Sequence, residues 1–223
     1  MSQFRTENMV CPACNKKDTI RLYERIESTD AAARNKLLKG SLFRYKCPKC
    51  GYVAGIAGNL LYHNAEKNFM VYFAADHDVE GMKEAMDDIE ARANKMAPSE
   101  EFKYKVRRRI VVDNHELVEK VIILEADLDD RTIELMKMFY LDAVKENHPE
   151  MDIMSGYFCI VDDEWHLELV LTDGRTFAIK MQKDLYQTFE DEYREEIDRV
   201  GETYFVNADY AINIYGENLS DPD

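Results

Sequence analysis

No stretch of the 223 residues approaches the roughly 18 consecutive apolar positions of a membrane-spanning helix. The opening MSQFRTENMV also lacks the basic start and apolar centre of a secretory signal. These absences predict a cytoplasmic protein with no membrane partner. Also missing are a phosphate loop, a nucleotide-binding glycine pattern, a nucleophile elbow and a two-histidine zinc motif. No catalytic set is assembled along the chain, and a non-enzymatic protein is the favoured reading. The chain has no internal repeat and no low-complexity segment. Cysteine is scarce, with five in all, and four of them fall in two short motifs.

What is present is a globular composition with an uneven charge. Apolar residues make up 46% and aromatics 11%, enough for a real core in one large domain or two small ones. The formal net charge is −15. Residues 1–60 carry 11 Lys and Arg against 5 Asp and Glu, whereas the rest carries 18 against 39. Nucleic acid and anionic membranes repel a chain this acidic as a whole, and only the first sixty residues escape that repulsion.

The pattern predicts an α+β protein in three stretches. Residues 1–75 read as a zinc-ribbon-like β module with a helical insertion. TIRLYERI is a strand; a short helix is capped by Ser28, Thr29 or Asp30 and ends at Gly40; SLFRYKC is a strand; NLLYH and NFMVYFA form a hairpin. Residues 76–101 are an amphipathic helix with Met82, Ala85, Met86, Ile89, Ala93 and Met96 facing a core, followed by the linker APSEE. Residues 102–223 form an acidic α+β domain. It holds a strand FKYKVRRRIVV, a helical hairpin broken at DLDDRT, and a three-stranded antiparallel meander. The meander's expected two-residue turn is Asp173-Gly174. A charged helix then ends at Gly201, and TYFVNADYAINIYGENL is ambiguous between strand and helix.

The two motifs are Cys11-Pro-x-Cys14 and Cys47-Pro-x-Cys50, separated by 32 residues. In a reducing compartment such pairs are metal ligands or redox centres more often than disulfides. Redox proteins place one such pair after a strand and at a helix start. Here there are two pairs, and the first leads into a strand. Two C-x2-C turns can aim four sulfurs at one point, as tetrahedral Zn²⁺ requires. Proline stiffens each turn, Gly51 lets the chain reverse, and Lys16, Lys17, Lys46 and Lys49 offset the residual negative charge. Four thiolates close the coordination shell, so the predicted zinc is structural and not catalytic. The fifth cysteine, Cys159, lies in an apolar strand.

At CPAC, LLKGSLFRYKCPKCGY and LLYHNAEKNFMVYF the chain resembles the CpXC family, a bacterial and archaeal domain named for its two Cys-Pro-x-Cys motifs. The resemblance covers residues 8–125 and implies a metal-binding domain, without implying an activity. The family often carries Asp where Asn64 stands, so a carboxylate role at that position is not carried over.

The remaining constellations read as structural. His63 beside Asn64, and His77 between Asp76 and Asp78, are a polar strand end and a helix cap before they are a metal or acid–base site. His166 lies with Glu164 and Glu168 on one face of a half-buried strand. Asp129 or Asp130 caps a helix more simply than DLDDR binds a cation. The arginines of KVRRRI pair with nearby acids. Two functions follow from the charge pattern. The preferred one is a protein-interaction module whose partner is another protein or a second copy of the chain. The alternative is nucleic-acid binding by Lys16, Lys17, Arg21, Arg25, Lys46 and Lys49, with Tyr23, Phe43 and Tyr45 stacking on bases.

Overall fold

The structure is a computed structural model that describes residues 2–95 and 106–218. The predicted linker at residues 97–101, the start of the strand predicted after it, and Met96 lie outside the described residues. The chain divides into two compact units, Met1–Val121 and Ile122–Asp223.

The first unit is built on a five-stranded sheet in the order β1-β2-β5-β6-β7. β1 (Gln3–Val10) and β2 (Lys17–Glu27) form an antiparallel hairpin. The sequence reading did not assign β1. Its side chains are nearly all exposed, so the strand carries no alternation to be read. After β2 comes α1 (Ala31–Leu38), capped by the Asp30 side chain accepting from the Ala33 N–H. Gly40 follows at φ 63, where a side chain would strain the backbone. The predicted strand SLFRYKC divides into a 3-10 turn (Ser41–Phe43) and a three-residue β3 (Arg44–Lys46). β3 pairs with β4 (Val53–Gly55) as a separate two-stranded sheet.

β5 (Leu60–Asn64) and β6 (Phe69–Phe73) form the expected hairpin, and Leu60, Tyr62, Phe69, Val71 and Phe73 are buried. β5 lies parallel to β2, and β6 lies parallel to β7 (Arg107–Val111). Parallel neighbours need a crossover, and α2 (Val79–Lys95) lies in the one between β6 and β7. The arginine-rich strand therefore belongs to the first sheet and not, as its sequence position predicted, to the acidic region. Its register against β6 decides this, and no signal within RRRIV announces it. The methionine stripe of α2 also departs from expectation. Met86 is buried, whereas Met82 is half-buried and Ala85 and Ile89 are exposed.

α3 (Asn114–Glu125) starts where Asp113 Oδ1 accepts from the His115 and Glu116 N–H groups, and the division between units falls inside it. The second unit continues with α4 (Asp130–Asn147), whose N-cap is Asp129. The meander β8 (Ile153–Val161), β9 (Glu164–Leu171) and β10 (Thr176–Lys180) follows. The last helices are α5 (Leu185–Glu192), α6 (Arg194–Val200) and α7 (Ala208–Asn218). The ambiguous last segment is thus a helix.

Phe158, Trp165, Leu167 and Leu169 face Ile133, Leu135, Met136, Phe189, Ile197, Tyr210 and Ile214 in one core. At Gly156 the absence of a side chain lets the sheet approach the helix layer. A Cβ there would lie 3.2 Å from Leu167 Cδ1 and 3.4 Å from Leu141 Cδ2. The meander's turns differ from expectation. Leu171 N–H donates to Arg175 and Gly174 N–H to Leu171, with Gly174 at φ 83, which makes a three-residue loop. The two-residue turn lies instead between β8 and β9, at Asp162 (φ 49) and Asp163 (φ 62). Among the described residues, no helix is long and apolar enough to cross a membrane.

Candidate metal centre

Each cysteine pair occupies the tip of a hairpin. β1 and β2 pair as far as Val10 with Lys17, and β3 and β4 as far as Lys46 with Val53. This leaves two six-residue loops, 11–16 and 47–52, with one construction. In the first, Cys11 N–H donates to the Lys16 carbonyl and Asn15 N–H to the Cys11 carbonyl, both at 2.9 Å. In the second, Cys47 N–H donates to Tyr52 at 2.8 Å and Gly51 N–H to Cys47 at 2.9 Å. The fifth position of each loop is left-handed, Asn15 at φ 57 and Gly51 at φ 75. The sequence reading assigned this reversal to Gly51 alone. Asparagine tolerates the same conformation, so the first loop carries an equivalent signal in less obvious form.

The two tips bring all four thiols together. The Cys11 and Cys50 sulfurs are 3.6 Å apart, those of Cys14 and Cys47 3.7 Å, and the four sulfurs lie within 4.8 Å of one another. A disulfide needs about 2.05 Å, so these are four separate thiols. Tetrahedral coordination with Zn–S bonds of about 2.3 Å separates neighbouring sulfurs by about 3.8 Å. The Cys11–Cys50 and Cys14–Cys47 separations match that value, and no pair exceeds it by more than about 1 Å. Cys11 and Cys47 are buried, Cys14 is half-buried and Cys50 is exposed, so the group sits at a surface with one side closed.

The surroundings are prepared for negative sulfur. Backbone N–H groups of Cys50 and Lys49 point at Cys47 and outweigh its burial, holding its thiol at about 6. Cys50 receives the Tyr52 N–H, but burial and the neighbouring sulfurs of Cys14, Cys47 and Cys11 push it up to about 12. One thiolate forms readily and the next is opposed by it. A divalent cation resolves that conflict, because all four thiolates then face positive charge. Tyr45 closes the inner side, with its hydroxyl donating to Asp18 Oδ2 at 3.3 Å. Burial and the adjacent Cys47 raise the Tyr45 pKa, so it remains a neutral donor.

The other predicted constellations are not brought into a site. His63 Nδ1 meets Glu27 Oε2 at 2.9 Å across the parallel β2–β5 pair, with Arg25 on the same carboxylate. Burial opposes ionisation of Glu27, but these two partners outweigh it and hold its carboxyl below the usual range. Asn64 Oδ1 accepts from the Lys67 N–H and shapes the β5–β6 loop. Asp78 Oδ1 accepts from the Gly81 N–H at the start of α2. His166 leaves the strand on the face opposite buried Trp165 and Leu167. Arg108 pairs with Asp87 and Glu90 of α2. The cysteine quartet is the group with ligand-like spacing among the described residues. Phe43 and Tyr45 are buried and present no ring for stacking on bases, contrary to the sequence expectation.

No curated protein and no solved structure matches the chain. A family model described as CpXC protein matches residues 9–137, from the end of β1 into α4. That is more than half of the sequence, and it contains both hairpin tips and all four thiols, so the chain belongs to the CpXC family.

Proposed function

We propose that this is a non-enzymatic binding protein whose first unit is pinned by a structural Zn²⁺ in a zinc-ribbon arrangement on Cys11, Cys14, Cys47 and Cys50, and which works by associating with another protein. The observation that carries the zinc reading is the convergence of two identically built hairpin tips on four sulfurs within 4.8 Å of one another. Four thiolates fill a tetrahedral shell and leave no position for an activated water or a substrate atom, so the ion's work is to hold β1–β2 against β3–β4. Thiolate-only ligation favours Zn²⁺ over oxygen-seeking Mg²⁺ or Ca²⁺.

The association reading draws on charge. The first 121 residues carry 21 Lys and Arg against 18 Asp and Glu, and the remainder 8 against 26. A near-neutral unit joined to one with a net charge of −18 steers association with charged partners. Elemental analysis of freshly purified, reduced protein tests the metal: one zinc per chain is expected, and none in Cys47→Ser. Affinity capture from the native cell, repeated with Cys47→Ser, tests the partner; a partner retained equally by the zinc-free variant would place its binding outside the pinned unit. A second reading, nucleic-acid binding by the first unit, is favoured by a carboxylate-free group of cations on α1, β2 and β3.

A further inference from the structure

Beside the metal centre, on the first unit, a cavity of about 350 Å³ opens between β2, the end of α1 and β3. It is at the lower end of the ligand-pocket range and suits one nucleotide rather than a folded partner. Its charged lining is Arg21, Lys36, Arg44 and Lys46, and no carboxylate contributes to it. Lys36, Arg44 and Lys46 are exposed and make no ion pair among the described residues, and Arg21 rests its guanidinium 4.9 Å above the Phe4 ring. The cavity thus gathers four of the eleven cations of residues 1–60 and none of the five acids.

The local fold explains the grouping. Arg44 and Lys46 alternate with buried Tyr45 on β3, so both project from the face opposite the cysteines. Arg21 and Tyr23 share a face of β2 for the same reason, and the helix insertion brings Lys36 and Ser41 to the rim. The sequence reading had Arg21 and Lys46 among its basic candidates but not Lys36 or Arg44, which only the α1–β3 connection brings to them. Tyr23 lines the cavity and sits 5.8 Å from Phe4, whose ring is 45% exposed. Cations for a phosphate stand beside the exposed Phe4 and the half-buried Tyr23 for a base.

We propose that this cavity binds a nucleotide of single-stranded nucleic acid, its phosphate held by Lys36, Arg44 and Lys46 and its base by Tyr23 and the Arg21–Phe4 stack. The proposal deepens the second functional reading and commits it to one place on the molecule. A duplex keeps its bases stacked inside, so it could offer the cations its phosphates but leave the aromatic pair unused. Arginine matches a phosphate with two parallel N–H groups, and the lysines act as point charges around it.

Fluorescence anisotropy of the full-length, zinc-loaded protein with a fluorescein-labelled single-stranded oligonucleotide tests the proposal. The wild type should bind with salt-dependent affinity. The double reversal Lys36→Glu with Arg44→Glu should weaken binding at least about tenfold at 0.1 M salt and lower the log–log salt slope by about 1.4, the share of two phosphate contacts on a single strand. Lys17→Glu with Lys39→Glu makes the same four-unit change at two exposed positions that do not line the cavity, and should cost under about threefold. Phe4→Ala should weaken the strand more than a duplex of the same sequence. Competition by ATP at comparable affinity would identify a free nucleotide as the source of the same chemistry.

Wild type that binds no strand at low salt would remove the nucleic-acid reading altogether. Binding that survives the double reversal, or falls equally with the Lys17→Glu and Lys39→Glu pair, would keep that reading and overturn this cavity. Displacement by a polyglutamate peptide as effective as by nucleotides would assign the cations to an acidic protein instead. Zinc loss from the double reversal would assign them to the thiolates.

Discussion

Around the cysteines of the first unit, Cys11, Tyr45 and Cys47 are the buried members of their cluster, and partly buried neighbours such as Met9, Ile20 and Ile56 complete it. The second unit closes on sixteen buried residues drawn from a sheet and the helices over it, among them Trp165, Phe158 and Phe189. The cysteine region has two strand pairs of which one, β3–β4, is three residues long, and under the proposed function coordination holds it in place. The second unit holds its strands by removing apolar surface from water, at roughly 25 cal/mol per Å². The two regions therefore answer to different chemistry, and removing either support should leave the other standing.

The largest expected effect is that of the metal. Structural zinc contributes apparent binding free energies of about 10–16 kcal/mol to small modules at neutral pH. Chelation, or Cys47→Ser, should abolish protection of the β3–β4 amides and of the loops at 11–16 and 47–52 in hydrogen exchange. The single tryptophan, Trp165, lies in the second unit's core and reports on that unit alone. Its fluorescence should stay native when the metal is removed. Collapse of the tryptophan signal together with the metal would show that the two regions are one cooperative body.

The converse change sharpens the same comparison. Phe158 packs edge-on against Trp165 with ring centroids 5.3 Å apart and is almost fully buried. Phe158→Ala removes that contact and leaves a cavity, at an expected cost of about 3–5 kcal/mol. The tryptophan transition should move to lower denaturant while the zinc content remains at one per chain. Zinc lost from Phe158→Ala would mean that the core, and not the ligands, sets the metal site.

The parts legible in the sequence were those with local signals. C-x2-C spacing carries its own geometry, and Asp30 and Asp129 cap helices at places where the sequence left a choice of neighbouring residues. Period-two alternation revealed β9 because Trp165, Leu167, Leu169 and Leu171 face a core on one side only. What was not legible depends on register between distant segments. β1 has no buried face to alternate against. RRRIV looks like the start of something new, and nothing in it records that Arg109 stands opposite Val71 of β6. The cation group was also hidden, since Arg21, Lys36, Arg44 and Lys46 come from three elements and only the helix insertion unites them.

A smaller effect probes the first sheet away from the metal. The Glu27 carboxylate receives His63 and Arg25, and its pKa lies below the ordinary value. A depressed carboxyl pKa adds stability above the unfolded value, and that stability is lost as pH falls through the folded one. Glu27→Gln should therefore cost about 1–2 kcal/mol at pH 7, and the difference from wild type should shrink once the pH drops below about 4.3. Equilibrium unfolding of both proteins across pH 3–7, followed by far-ultraviolet dichroism, measures that difference directly. A difference that grows on acidification would reverse the assigned sign.

The smallest effect concerns the turn that the sequence placed one hairpin too late. Asp162 and Asp163 both adopt positive φ in a two-residue turn, a conformation in which glycine is at ease and an L-residue is strained. The Asp163 side chain is almost wholly exposed, and its ion pair with Lys183 is screened by solvent. The carbonyl of residue 163 that accepts from Lys183 Nζ belongs to the backbone and survives substitution. Asp163→Gly thus relieves strain without removing a buried contact, while making the unfolded chain more flexible. The two effects oppose each other, and relief should win by up to about 1 kcal/mol. The tryptophan-detected melting temperature should rise by a few degrees with the zinc site untouched. A fall would mean that the Asp-Asp turn is held by more than its own backbone geometry, and that the second unit's sheet relies on that acidic tip.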